Sequence, residues 1–298
     1  MNEDSAELLK RLGNLEKMPT IPVVLAPLLR YLEGPLDTLE VQEVVDLISQ
    51  DKSLAAQCLQ MANSPLYGRW QNVDNIRSAV VALGLQRMRD IAVSCSLLKL
   101  TSNDQSKLDP TAFWEHSLGC ALVARQFARR IGFADPGKAY LAGLLHDLGI
   151  VAELSVVPVE FEDAFRQARS QGIPLHQTEK QVLGFTHGDA GKIVAERWHL
   201  SSEFVAVLGS HHEPELSPGN RDLVAVVSLS DLLCRMCGLG HGYIEEQQVN
   251  FMEEPAFNLL LKECPSLTSF DWARFTFELE AYMQEVHRLV ALLYGTSQ

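Results

Sequence analysis

A histidine and an aspartate stand side by side at His146-Asp147, inside the otherwise apolar run Leu144-Leu145-His146-Asp147-Leu148-Gly149. Other histidines and aspartates keep similar company. His116 lies upstream, and His187, the pair His211-His212 and Asp231 lie downstream, each on or beside a predicted helix with apolar neighbours. Burying imidazoles and carboxylates is costly unless they are paired or bound to a cation, so a shared metal site is the economical explanation. Imidazole nitrogen and carboxylate oxygen suit Fe, Mn, Ni, Co or Zn, and the lack of cysteine among the candidates argues against a purely structural zinc site. Asp147 is the natural bridge between two divalent ions, because it adjoins His146 and sits mid-sequence among the others. Water shared by two such ions can be a hydroxide near neutral pH and attack phosphorus.

Each residue also has a plainer reading. His116, in Phe113-Trp114-Glu115-His116, would be unremarkable as a hydrogen-bonded histidine on a helix surface. Asp231 could bond locally to Ser228 or Ser230. His211-His212 before Glu213-Pro214 could be a polar loop, and His187 could be a first-turn residue of its helix. His176, His199, His241 and His287 sit among polar or loop residues and are expected to face solvent. Cys234 and Cys237 have zinc-like spacing but no second pair, and are expected in the core.

The elements that must position these groups are helical. Apolar residues recur at helical spacing, with no sustained period-two alternation and no hairpin signal. Short apolar runs such as Leu223 to Val227 could be strands by periodicity, but length favours helix. Asp135 and Pro136 start a helix running to about residue 155 through His146-Asp147. Asp37 and Asp51 are predicted N-caps, and Gly84 and Gly172 mark helix ends. Thr101 to Pro110 reads as a linker. The expected architecture is all-α and two-lobed: an N-terminal helical lobe over 1–105, a metal-binding helical domain over 106–240, and a C-terminal helical extension over 241–298 packed on that domain.

Composition narrows the function classes. The 298 residues carry a net charge of −13, with 47% hydrophobic and 21% charged residues. That balance argues against sequence-independent nucleic-acid binding and against an anionic membrane surface. No cationic-then-apolar leader follows Met1-Asn2-Glu3-Asp4, and the six cysteines lie scattered in predicted helices. The expectation is a cytoplasmic protein with reduced core cysteines.

The order His, His-Asp, His, His-His, Asp resembles that of the HD superfamily of metal-dependent phosphohydrolases, in the arrangement of HD-GYP proteins. The rest of the chain resembles the HDOD domain, a related bacterial signalling output module. The matching stretches are Met18-Pro19-Thr20-Ile21-Pro22, Ile48 through Ala55, Met61-Ala62-Asn63-Ser64-Pro65-Leu66-Tyr67 and Ile76 through Gly84, then Glu179 with Leu183 through His187, Arg197 through Leu200 and Ser210 through Pro214. The resemblance implies one ion held by His116, His146, Asp147 and Asp231. It implies a second held by Asp147, His187 and one or both of His211 and His212. Departures from HD-GYP proteins are Ile150 in place of a lysine, no Gly-Tyr-Pro after Glu213, and Ala112 without the carboxylate that supports a third metal in some of them. These argue against cyclic dinucleotide hydrolysis. No basic cluster that would hold a substrate's phosphates is evident, Arg125 and Lys192 being the candidates.

The resemblance thus implies a bacterial signal-transduction output module of HDOD type with an occupied binuclear metal site, working with a separate protein partner. The alternative is a working phosphohydrolase acting on a nucleotide or another small phosphate ester. A third reading has no metal, the histidines being residual polar core.

Overall fold

The computed structural model describes Leu8, Arg11–Leu12 and residues 21–30, 41–67, 72–98, 100, 108–246 and 249–294. Among them there is no β-strand, and the chain is all-α. The predicted cap at Asp37, most of the Thr101–Pro110 linker and part of the Met18–Pro22 motif lie outside the described residues. The chain divides into two compact units, one of Ile21–Asn103 with Phe277–Gln298, the other of Met1–Thr20 with Asp104–Thr276.

The first unit contains α1 (Leu25–Arg30), α2 (Val41–Ser49), α3 (Lys52–Ala62), α4 (Ile76–Leu83) and α5 (Leu85–Leu98). Its core is built from Leu25, Leu28, Ile48, Cys58, Met61, Met88 and Ile91, all fully buried. Asp51 caps α3 by accepting from the Ser53 and Leu54 amides, and Gly84 ends α4 with φ at 85°.

The second unit carries the chemistry. It contains α6 (Pro110–Ile131), α7 (Pro136–Leu145), α8 (Leu148–Val156), α9 (Pro158–Gln171), α10 (Leu175–Val182), α11 (His187–Arg197), α12 (Ser202–Ser210), α13 (Arg221–Met236) and α14 (Pro255–Glu263). The last helix, α15 (Trp272–Tyr294), begins in this unit and ends in the other. Leu223 to Val227 is helical. Asp135 caps α7 through the Lys138 amide, with Pro136 at the first helical position, as expected.

The helix expected through His146-Asp147 is instead two helices that break there. His146 follows the end of α7, and Asp147 precedes α8 with φ −97° and ψ 12°. At the break His146 Nε2 and Asp147 Oδ2 lie 3.2 Å apart. Two glycines allow that break to be clamped. A Cβ on Gly143 would lie 2.9 Å from the Cys120 carbonyl oxygen of α6, and one on Gly149 would lie 1.8 Å from the His187 carbonyl oxygen of α11. Only hydrogen at these positions lets α6 and α11 close on α7 and α8. Pro136–Val156 is long and apolar enough to cross a membrane, and 94% of its most apolar window is buried within the fold.

Cys58, Cys95, Cys120 and Cys234 are buried, whereas Cys237 is exposed and Cys264 half-buried. Cys237 is not in the core because α13 ends at Met236, so it lies past the apolar face.

Candidate metal centre

Six helices and their ends bring the candidates together. His116 comes from the middle of α6, His146-Asp147 from the α7–α8 break, His187 from the first turn of α11, His211-His212 from the end of α12, and Asp231 from α13. His116 and His146 are fully buried, His187 and His211 are 1% exposed, and Asp147 and Asp231 are 2% exposed. His116 is therefore no surface histidine. His187 is a first-turn residue, fixed by the capping box of Thr186 and Asp189, and its ring still reaches the cluster.

Asp147 divides the cluster between its two oxygens. Oδ2 lies 3.3 Å from His116 Nε2 and 3.2 Å from His146 Nε2, while Oδ1 lies 3.3 Å from His187 Nε2 and 3.5 Å from His211 Nε2. Asp231 Oδ1 stands 3.3 Å from His116 Nε2, and Asp231 Oδ2 stands 4.0 Å from His212 Nδ1. Two groups of potential ligands follow, one of His116, His146 and Asp231, the other of Asp147, His187, His211 and His212.

The outer nitrogens assign the tautomers. His116 Nδ1 donates to the Leu239 carbonyl at 2.6 Å, His146 Nδ1 to the Gly143 carbonyl at 2.7 Å, and His211 Nδ1 to the Val207 carbonyl at 3.1 Å. His187 Nδ1 donates to Glu179 Oε2 at 2.7 Å. A neutral imidazole whose Nδ1 holds the proton presents a lone pair at Nε2. Those lone pairs face each other at 3.2 Å between His116 and His146 and at 3.3 Å between His187 and His211. Facing lone pairs beside two buried carboxylates demand positive charge. The buried clusters could hold a metal ion.

Electrostatics show the same demand for positive charge, which without an ion a proton on His116 would meet. Burial alone would push His116 down, but Asp147 and Asp231 outweigh it and bring the ring up to about 10. Burial would raise Asp147, yet His146 and the bonds from His116, His146 and His187 hold it well below the usual carboxylate range. Asp231 is likewise held low, against burial, chiefly by Arg235. The Arg235 guanidinium grips both Asp231 oxygens at 2.9 Å. That fork, rather than Ser228 or Ser230, is the partner of Asp231; Ser230 bonds back to the Val226 carbonyl.

Several expectations need correction. His241 does not face solvent: it is buried, and its Nε2 lies 2.8 Å from Asp147 Oδ2. His176 stacks on His212 with ring centroids 4.0 Å apart. His199 and His287 are exposed. Arg125 is buried over the Tyr140 ring, 3.8 Å from its centroid, and so offers nothing to a phosphate. Glu179, part of a stretch that carries the resemblance but given no role there, holds His187. Beside the cluster, a cavity of about 460 Å³ is lined by residues that include His176, Lys180, His211, His212 and Asp189.

The family model of the HDOD domain matches residues 18–214. The chain belongs to the HDOD domain family. Its solved relatives include an HDOD domain protein of unknown function from Geobacter sulfurreducens, 28% identical, with a TM-score of 0.85 over 97% of this chain and 98% of that one. A candidate signal transduction protein from Marinobacter aquaeolei VT8, 19% identical, shares the fold with a TM-score of 0.75 over 97% of this chain and 65% of that one. An uncharacterized protein of Treponema pallidum (strain Nichols) is 25% identical over 226 residues, which are 74% of this chain and 43% of that protein's length. The HDOD chain thus spans less than half of that curated relative.

Proposed function

We propose that this HDOD protein is a signal-transduction output module built on a binuclear metal centre. The carrying observation is the convergence of Nε2 lone pairs from His116, His146, His187 and His211 on the two oxygens of Asp147. His116, His146, Asp147 and Asp231 would hold one divalent ion, and Asp147, His187, His211 and His212 the other. Ions bound there would supply Lewis acidity and acidify a coordinated water. The chain's own residues limit that chemistry. Every candidate ligand except His212, whose side chain is 17% exposed, is closed off from solvent. A centre closed in this way acts as a regulated structural node, read by a separate protein partner, more readily than as a hydrolytic site.

A second reading rests on the cavity beside His211 and His212. Lys180 at its wall could pair with a phosphate of a nucleotide or another small phosphate ester, placing it against the cluster. Elemental mass spectrometry on untagged protein, purified without added metal, tests the centre. About two ions of Fe, Mn, Ni, Co or Zn per chain are expected from ligand count. No metal, even after reconstitution, would refute it. Phosphodiesterase and nucleotidase screens on the loaded protein then decide between the readings, with no turnover expected for the module.

A further inference from the structure

After α13 the chain runs from Gly238 to Glu246 as an irregular strap. Along it Leu239 and His241 are buried and Tyr243 and Glu245 half-buried, while Gly242, Ile244 and Glu246 face out. Each inward residue is tied to something different. The Leu239 carbonyl accepts from His116 Nδ1 at 2.6 Å. His241 Nε2 reaches Asp147 Oδ2, and its ring lies against that of His116 with centroids 4.5 Å apart. Tyr243 donates to the Ile173 carbonyl at 2.9 Å and meets the Phe165 ring edge-on. Glu245 accepts from Arg235 at 2.6 Å, the same arginine that grips Asp231. The Glu246 amide closes the strap on the Gly172 carbonyl at 2.8 Å.

Gly242 makes this path possible. Its φ of 86° reverses the chain just past His241, and a Cβ there would sit 3.6 Å from that of Ala112 on α6. His241 thereby reaches Asp147 Oδ2, the oxygen that His116 and His146 also approach. Its nitrogen groups with ligand atoms of His116 and Asp147 as a third potential metal-binding set.

We propose that His241 is an additional, protein-supplied ligand of the ion shared by His116, His146, Asp147 and Asp231, and that the strap is the element this ion orders. The proposal rests on the binuclear reading above. His241 would be a fifth protein ligand of that ion and would take up coordination that water could otherwise fill. The same side chain therefore closes the centre and anchors a surface segment to it. Loss of the ion would leave His241 only its hydrogen bond to Asp147, with the strap held by that bond and by Leu239, Tyr243, Glu245 and Glu246.

The test uses the full chain loaded with Mn²⁺, comparing wild type with His241→Ala and His241→Gln. Ion content is read by elemental mass spectrometry and inner-sphere water by water-proton relaxation. Hydrogen exchange is followed over residues 238–246. The expected result is an unchanged ion count with about one extra inner-sphere water per chain in both variants, since an opened coordination position fills with water. Faster exchange confined to the strap should accompany it. Glutamine can still donate to Asp147 but is a poor ligand. Relaxation in His241→Gln equal to wild type would make His241 a hydrogen-bonding partner of Asp147 and overturn the proposal. Unchanged relaxation in His241→Ala would overturn it too. A wild-type protein that takes up no Mn²⁺ would overturn the binuclear reading, and this proposal with it.

Discussion

Glu179 accepts two hydrogen bonds from His187, one from its backbone N–H at 2.8 Å and one from its ring Nδ1 at 2.7 Å. The carboxylate is fully buried, so it fixes both the start of α11 and the ring orientation that turns Nε2 toward Asp147. It is a positioning residue. Outer partners of this kind are typically worth about 10- to 100-fold in metal affinity. Glu179→Gln should weaken binding of one ion by about that factor and leave the other unaffected. Chelator competition, read ion by ion, checks this.

Asp147→Ala should release both ions, because each oxygen serves a different histidine set. Elemental analysis of the purified variant should find almost none. Retention of one ion would refute the bridging role.

Gly149→Ala should destabilise the protein by about 3 kcal/mol, at the upper end of ordinary overpacking costs. The clash is with backbone, the His187 carbonyl at 1.8 Å and the Gly191 nitrogen at 2.7 Å, so no side-chain rotation relieves it. Urea unfolding midpoints measure the loss. A variant as stable as wild type would mean that α8 and α11 do not approach as described.

Glu153 is fully buried, with its carboxyl group beside the Glu179 carboxylate. Burial first, and repulsion from Glu179 second, push its pKa well above the ordinary 4.5. The folded protein therefore takes up a proton that the unfolded chain releases. This contribution is fully present below about pH 4.5 and is lost as pH rises toward the folded-state pKa. Glu153→Gln keeps the shape without the titration. The variant should be at least as stable as wild type at neutral pH, with a gap that grows from pH 5 to 8. Denaturant titrations across that range decide it, and a constant gap would sink the idea.

The helical ligands were legible because an imidazole or carboxylate in an apolar run is an expensive choice. His146-Asp147 between Leu145 and Leu148, and Asp231 between Leu229 and Leu232, stand out for that reason. His241 did not, since Gly238, Gly240 and Gly242 around it read as solvent-facing loop. The inward turn depends on a positive φ at Gly242 and on tertiary bonds that periodicity does not record. The role of Glu179 was hidden differently: the resemblance includes the residue, but beside Lys180 on a polar helix it looks like any solvated acid, and only the fold turns it onto His187. The break at His146-Asp147 was invisible because Leu144 to Gly149 has no residue that stops a helix, apart from the glycine that lets α11 approach.

The stack of His176 on His212 bears on time as well as on binding. His212 is the one candidate ligand with appreciable exposure, and His176 lies across it at the wall of the cavity. An ion leaving the buried cluster by that side must wait for the two rings to part. Its residence time would then follow the opening rate of that gate, and the rate of stripping by a chelator would level off as the chelator is raised.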